Sequence, residues 1–162
     1  MALKELALRV PNRPGELAHV ARILAEDGIN VAAISVDSTG RTGHVRMIVS
    51  RPEEALGLLT AAGFTVESHE LITVRLTDES GSFLRILELL SGAGVNVQSV
   101  AILVQREGAH SLVALATKDV AKARKVLERA GVLSASAEGL VTNADLIASA
   151  PSIPTQSVGL LL

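Results

Sequence analysis

Asn12-Arg13-Pro14-Gly15-Glu16-Leu17, followed after one apolar-periodic segment by Gly28-Ile29-Asn30-Val31, decides the fold, because the chain repeats it. Sixty-six residues later Asp78-Glu79-Ser80-Gly81-Ser82-Phe83 leads through a segment of equal length to Gly94-Val95-Asn96-Val97. Gly15 to Gly28 and Gly81 to Gly94 are both 13 residues. Working outward, the same shift carries Leu6, Leu8 and Val10 onto Ile72, Val74 and Leu76. It carries Arg9 onto Arg75, His44 onto His110, and Met47 and Val49 onto Val113 and Leu115. Gly63 meets Gly131 at a shift of 68, which places two extra residues of the second copy near its second helix. A repeat of this length marks a duplicated folding unit.

Each copy spells the same order of elements. Leu6, Leu8 and Val10 alternate with Glu5, Ala7 and Arg9, the pattern of a half-buried strand, and Pro11 stops it. Asn12 reads as a helix cap with Pro14 in the first turn. Leu17, Val20, Ile23 and Leu24 share one helix face, and Gly28 ends the helix. A second strand follows at about 30–36, a hairpin loop at 38–43 and a third strand at 44–49. Ser50-Arg51-Pro52-Glu53 has capping-box chemistry and opens a second helix with Ala55, Leu58 and Leu59 inward. Gly63 stops it before a short last strand at 64–66. The second copy runs through 71–76, 82–90, 96–104, 111–116, 120–130 and 132–137, with its hairpin loop at 105–108 and Phe83 in the core place of Leu17.

Four strands alternating with two helices, as βαββαβ, define an α+β fold of two tandem ferredoxin-like modules, with antiparallel sheets and helices on one face. Residues 1–68 form the first module and 69–138 the second, with almost no linker, so the modules pack directly on each other. Residues 139–162 lose the pattern and are rich in Ser, Ala, Thr and Pro. A helical turn or two at 143–150 is bounded by Pro151, and the rest is expected to be a disordered tail.

Composition narrows the function. The 162 residues are 48% hydrophobic and 20% charged, a globular balance. No apolar run approaches the ~20 residues of a membrane span. Met1 to Leu6 carry charge where a signal peptide needs an apolar stretch. Zero cysteines exclude disulfides and thiolate metal sites. A cytoplasmic protein without membrane contact is the expectation. The net charge of −2 lacks the basic footprint of nucleic-acid binding. Phe64 and Phe83 are the whole aromatic complement, too few to stack bases.

Catalytic constellations are missing too. His19, His44, His69 and His110 form no i,i+4 ligand pair, so neither a metal nor another cofactor is expected. Glu53-Glu54 suits a helix N-terminal turn, not an acid–base dyad. Arg9 and Arg75 lie on the strand face away from the apolar one and read as solvated or interface-facing. An acylphosphatase-like hydrolase on this scaffold needs an arginine in a phosphate loop after the first strand, where Arg13 stands.

Asn12-Arg13-Pro14-Gly15-Glu16-Leu17 with Gly28-Ile29-Asn30-Val31-Ala32-Ala33 resembles the ACT domain, most of all the serine-sensing regulatory domain of phosphoglycerate dehydrogenases. The resemblance spans both copies, and the build is similar to small stand-alone tandem-ACT proteins. It implies a non-catalytic regulatory protein of amino-acid metabolism that binds a free amino acid between neighbouring modules. On that basis the binding residues are Asn12, Arg13, Pro14 and Gly15 of the loop after the first strand, with Ile29 and Asn30 at the second strand. Their second-copy counterparts are Asp78, Ser80, Gly81, Val95 and Asn96. Asp78 and Ser80 depart from Asn12 and Pro14, and Val10 and Leu76 stand where the dehydrogenase domain has a histidine. One hybrid site pairs the first-copy loop with Asn96.

The chemistry stands without the family. An amino acid presents an ammonium and a carboxylate, and an Asn amide supplies both donors and an acceptor without net charge. Glycine permits close backbone approach, and helix N-terminal N–H groups suit a carboxylate. Asn12 reads equally as a helix cap, and Asn30 as a strand-entry residue. A homodimer is expected, since exposed sheet edges need cover. A regulatory subunit or scaffold for a biosynthetic enzyme, without its own ligand, is the alternative.

Overall fold

The computed structural model describes residues 3–77, 79–103 and 110–133. Ten elements follow in order: β1 (Lys4–Pro11), α1 (Glu16–Glu26), β2 (Val31–Thr39), β3 (Thr42–Val49), α2 (Pro52–Ala61), β4 (Val66–Thr77), α3 (Ser82–Gly92), β5 (Val97–Leu103), β6 (His110–Thr117) and α4 (Val120–Arg129). The strands form one six-stranded sheet in the order β2-β3-β1-β4-β6-β5. Every neighbouring pair is antiparallel. This is the α+β architecture of two ferredoxin-like modules.

β4 belongs to both modules. Val66–Glu70 pair with β1, and Leu71–Thr77 pair with β6. The short strand expected at 64–66 and the one expected at 71–76 are therefore a single strand of 12 residues. Polar Glu67-Ser68-His69-Glu70 hides this in the sequence, but the ladder joins backbone groups, and β1 supplies partners whatever the side chains. Beyond α4, Leu133 bridges Val74, and Arg75 N–H donates to Val132 O at 3.2 Å. The rest of the strand expected at 132–137, the segment 143–150 and the tail lie outside the described residues.

Two cores follow from strand alternation. Leu6, Leu8, Val10, Val45, Met47 and Val49 meet Val20 and Leu24 of α1 and Ala55 and Leu59 of α2. Ile72, Val74, Val113 and Leu115 meet Ile86 and Leu90 of α3 and Ala123 and Leu127 of α4. Truncating one such side chain, Leu59→Ala for instance, costs ~2–5 kcal/mol. A third cluster contains no helix residue: Leu3, Ile48, Leu71, Leu103, Leu112, Ala114 and Ala116. These alternate with the helix-facing residues, so they lie on the other face of the sheet.

That third cluster means the sheet curls about β4. In a flat sheet, β1 and β5 would be three strand spacings apart, roughly 14 Å. Instead Ser99 Oγ of β5 donates to Glu5 of β1, 3.0 Å from Oε2 and 3.2 Å from Oε1. The helix-free faces of the two modules are folded towards each other.

Several local expectations change. Leu6 pairs with Met47 and Ile72 with Leu115, so strand three moves by 68 residues while strand one moves by 66. The two extra residues therefore lie between β5 and β6, not near the second helix, and His44 corresponds to Leu112, not to His110. The N-cap of α1 is Gly15, at φ 91, with no side-chain cap, so Asn12 is no cap and Pro14 precedes the helix. Gly81 repeats this at φ 92. The capping box at Ser50 does not form: Arg51 is the N-cap of α2, and Ser50 Oγ accepts the Asn30 N–H at 3.0 Å. The 38–43 loop tightens to a two-residue turn, Gly40-Arg41, with Gly40 at φ 60. Leu17 and Phe83 are 40% and 36% exposed at the helix starts and are not core.

Candidate functional site

Pro11 ends β1 opposite Thr42, which brings Asn12 beside the β2–β3 turn. Its backbone N–H donates to Arg41 O and its Nδ2 to Gly40 O, both at 2.9 Å. Asn12 thus staples the loop to the hairpin tip. Arg13 N–H turns back to Pro11 O at 2.9 Å, and its guanidinium holds Glu16 Oε1, Nε lying 3.1 Å away. Asn12 to Gly15 are exposed. No atom lies within 4 Å of a Cβ built on Gly15, so its left-handed backbone, not crowding, demands glycine. In the second copy, Ser80 and Gly81 are exposed and Asp78 lies outside the described residues.

The strand starts behave differently. Ile29 and Val95 are core residues, their N–H groups bonded to Leu24 O at 2.8 Å and Leu90 O at 2.9 Å. They offer a ligand backbone at most. Asn30 is fixed through its backbone, its carbonyl accepting the Ser50 N–H at 2.9 Å. Its half-buried side-chain amide has no hydrogen-bond partner among the described residues, and neither has that of exposed Asn96.

Within one module the loop and the strand start are far apart. Pro11 opposes Thr42 at one end of the sheet, and Val31 opposes Val49 at the other. The nine residues of β2 span roughly 30 Å between them. A ligand the size of an amino acid cannot touch both, so either half needs a neighbouring module. β2 and β5 end the sheet order. Each edge strand carries two exposed apolar residues, Ile34 and Val36 on β2 and Val100 and Ile102 on β5, while Leu17 of α1 and Phe83 and Leu84 of α3 are exposed at the helix starts.

A cleft that sequence reasoning missed opens beside β1 of the first module, a cavity of about 940 Å³. Glu5, Ala7, Arg9, His44, Arg46 and Glu67 line it from the helix-free face of the sheet, and Glu16 and His19 of α1 line it too. Ser99 of the second module closes one side. None of the residues assigned above to amino-acid binding lines it. The one signal for it in the sequence is Leu71 where Glu5 would recur, a swap of charge for apolar side chain at a repeat position.

Two βαββαβ modules sharing one strand, each with a glycine-capped loop at one end and an asparagine at the other, define a tandem module pair. The chain belongs to the ACT domain pair family, whose model matches residues 1–142. No curated protein matches the chain. Among solved structures it is similar to a Bacteroides thetaiotaomicron protein, at 25% identity over 82% of this chain and 91% of that one, with a TM-score of 0.74. The regulatory subunit of aspartate kinase from Thermus thermophilus shares the fold at 19% identity, covering 80% and 93% with a TM-score of 0.59. Its counterpart from Thermus flavus does so at 17%, covering 81% and 94% with a TM-score of 0.56. Among the described residues no helix is long and apolar enough to cross a membrane.

Proposed function

We propose that the chain is a non-catalytic regulatory protein that binds a free amino acid where the β1–α1 loop of one module meets the second-strand start of another. The observation that carries this is the separation of the two halves. Asn12 to Gly15 and Asn30 stand at opposite ends of a module, and among the described residues no strand pairs with the outer edge of β2 or β5, each of which carries exposed apolar residues. Edge-to-edge pairing with a second copy buries those residues and brings the first-copy loop to Asn30 or Asn96 of its neighbour. The free asparagine amides then meet the carboxylate or ammonium of the effector.

A regulatory subunit role for a biosynthetic enzyme fits the same surface, and the likeness to aspartate kinase regulatory subunits supports it. A phosphate-handling hydrolase has little support: Arg13, the arginine its loop would need, is held by Glu16.

A thermal-shift series over the standard amino acids tests the reading. A ligand at 100 times its Kd adds about 2.7 kcal/mol, a readily visible shift. One amino acid is expected to raise the melting temperature, and Asn12→Ala, together with Asn30→Ala or Asn96→Ala, to reduce that rise. A flat response to all of them sinks the sensor and leaves the subunit role.

A further inference from the structure

We propose that the side of this cleft formed by the helix-free face of the first module is a second binding site, for a free amino acid seated over Ala7 between Glu5 and Arg9. Glu5 is 6% exposed, and the hydroxyl of Ser99 is its hydrogen-bond donor. An ionised carboxylate offers about four acceptor positions, and one hydroxyl proton fills one. No lysine or arginine among the described residues pairs with Glu5. A buried carboxylate without a cation is costly, and the ammonium of a ligand is the group that completes it.

Ala7 leaves the floor open. Its cross-strand neighbours are Arg46 and Glu67, and Glu5 and Arg9 lie two residues away along β1 on the same face. Arg46 already holds Asp37 at 3.2 Å, and His69 Nε2 lies 3.5 Å from Glu67. Glu5 and exposed Arg9 are thus charges of opposite sign with no ion-pair partner among the described residues. Their Cα atoms are ~13 Å apart along the strand, a gap that two side chains and an amino acid fill. Ammonium against Glu5 and carboxylate against Arg9 set the ligand's direction.

The fold does not require Glu5 or Arg46. Arg9 recurs as Arg75, but the second module builds the same strands with Leu71 for Glu5, Thr73 for Ala7, Leu112 for His44 and Ala114 for Arg46. Glu5, His44 and Arg46 are peculiar to the first module, and they line a cavity. Because Ser99 belongs to the second module, a ligand on Glu5 also touches the contact between modules.

The test is titration of the isotopically labelled chain with each standard amino acid, following the amides of Ala7, Arg46 and Ser99. One amino acid is expected to move them saturably. Glu5→Gln, which keeps the bond to Ser99, and Arg9→Ala, at an exposed position, are each expected to weaken binding tenfold or more, while Asn12→Ala leaves it unchanged. The proposal is overturned when no amino acid moves these amides, or when binding there is indifferent to both variants. Shifts confined to Asn12–Gly15 and Asn30 would overturn it while leaving the interface site intact. If Glu5→Gln does not fold, Arg9→Ala decides alone.

Discussion

The two modules are alike on the face that packs helices and unlike on the face that does not. Leu6, Leu8 and Met47 are matched by Ile72, Val74 and Leu115, all buried under helices. On the other face, Glu5 and Arg46 of the first module are matched by Leu71 and Ala114 of the second. The apolar set of the second module joins Leu3 and Ile48 in the cluster that holds the modules together. Duplication supplied one scaffold twice. One helix-free face became an adhesive surface, and the other kept a polar cleft.

Exchanging residues across that divide gives the largest expected effect. Leu71→Glu puts an unpaired charge among Leu3, Ile48 and Ala116, at a cost of roughly 3–5 kcal/mol. Glu5→Leu removes a buried charge that has no cation partner among the described residues, and stability changes by about 1 kcal/mol or less. Urea unfolding of both variants measures the difference. Equal costs would mean that the two faces are not specialised as described.

The two asparagines differ more modestly. Asn12→Ala loses the bond to Gly40 O and costs about 1 kcal/mol. Asn30→Ala loses no side-chain bond within the described residues, so its stability cost is within about 0.5 kcal/mol. Thermal unfolding without ligand separates them. A large cost at Asn30 would make it a structural residue and weaken its assignment to ligand binding.

The smallest effect concerns an ion pair between β1 and α2, whose counterpart in the second module, Glu70 with Arg124, has the charges exchanged. Lys4 Nζ lies 2.7 Å from Glu53 Oε1, and this hydrogen bond, aided by one to the backbone of Glu53 itself, lowers the Glu53 carboxyl below its ordinary value. A carboxyl lowered by folding stabilises the fold above its unfolded pKa. That contribution is lost as pH falls through the folded value, so it fades below pH 4.5. Melting temperature against pH should fall slightly more steeply in acid for the native chain than for Lys4→Met. Parallel curves would show that the pair contributes nothing, as exposed pairs often do.

Much of this was legible in the chain. Alternation at Leu6, Leu8 and Val10, helical spacing at Val20 and Leu24, and the recurring Gly15 and Gly81 identified the modules, because burial of one face leaves a period in the sequence. The caps were not legible. Asn12 and Ser50 have capping chemistry, yet each spends its polar atoms on a partner 20 or more residues away, Gly40 for Asn12 and Asn30 for Ser50. The true length of β4 was hidden for the same reason, since its pairing with β1 is set by the backbone.

The sequence by itself determined the duplicated α+β modules, their helix-facing cores and the loop that resembles the family, all of which depend on local periodicity and short spacing. Only the tertiary structure decided that the modules share β4, that the sheet curls until Ser99 reaches Glu5, and that the loop and the strand-start asparagine stand at opposite ends. Those outcomes depend on which strands pair and how far the sheet twists, and no local pattern of side chains encodes either.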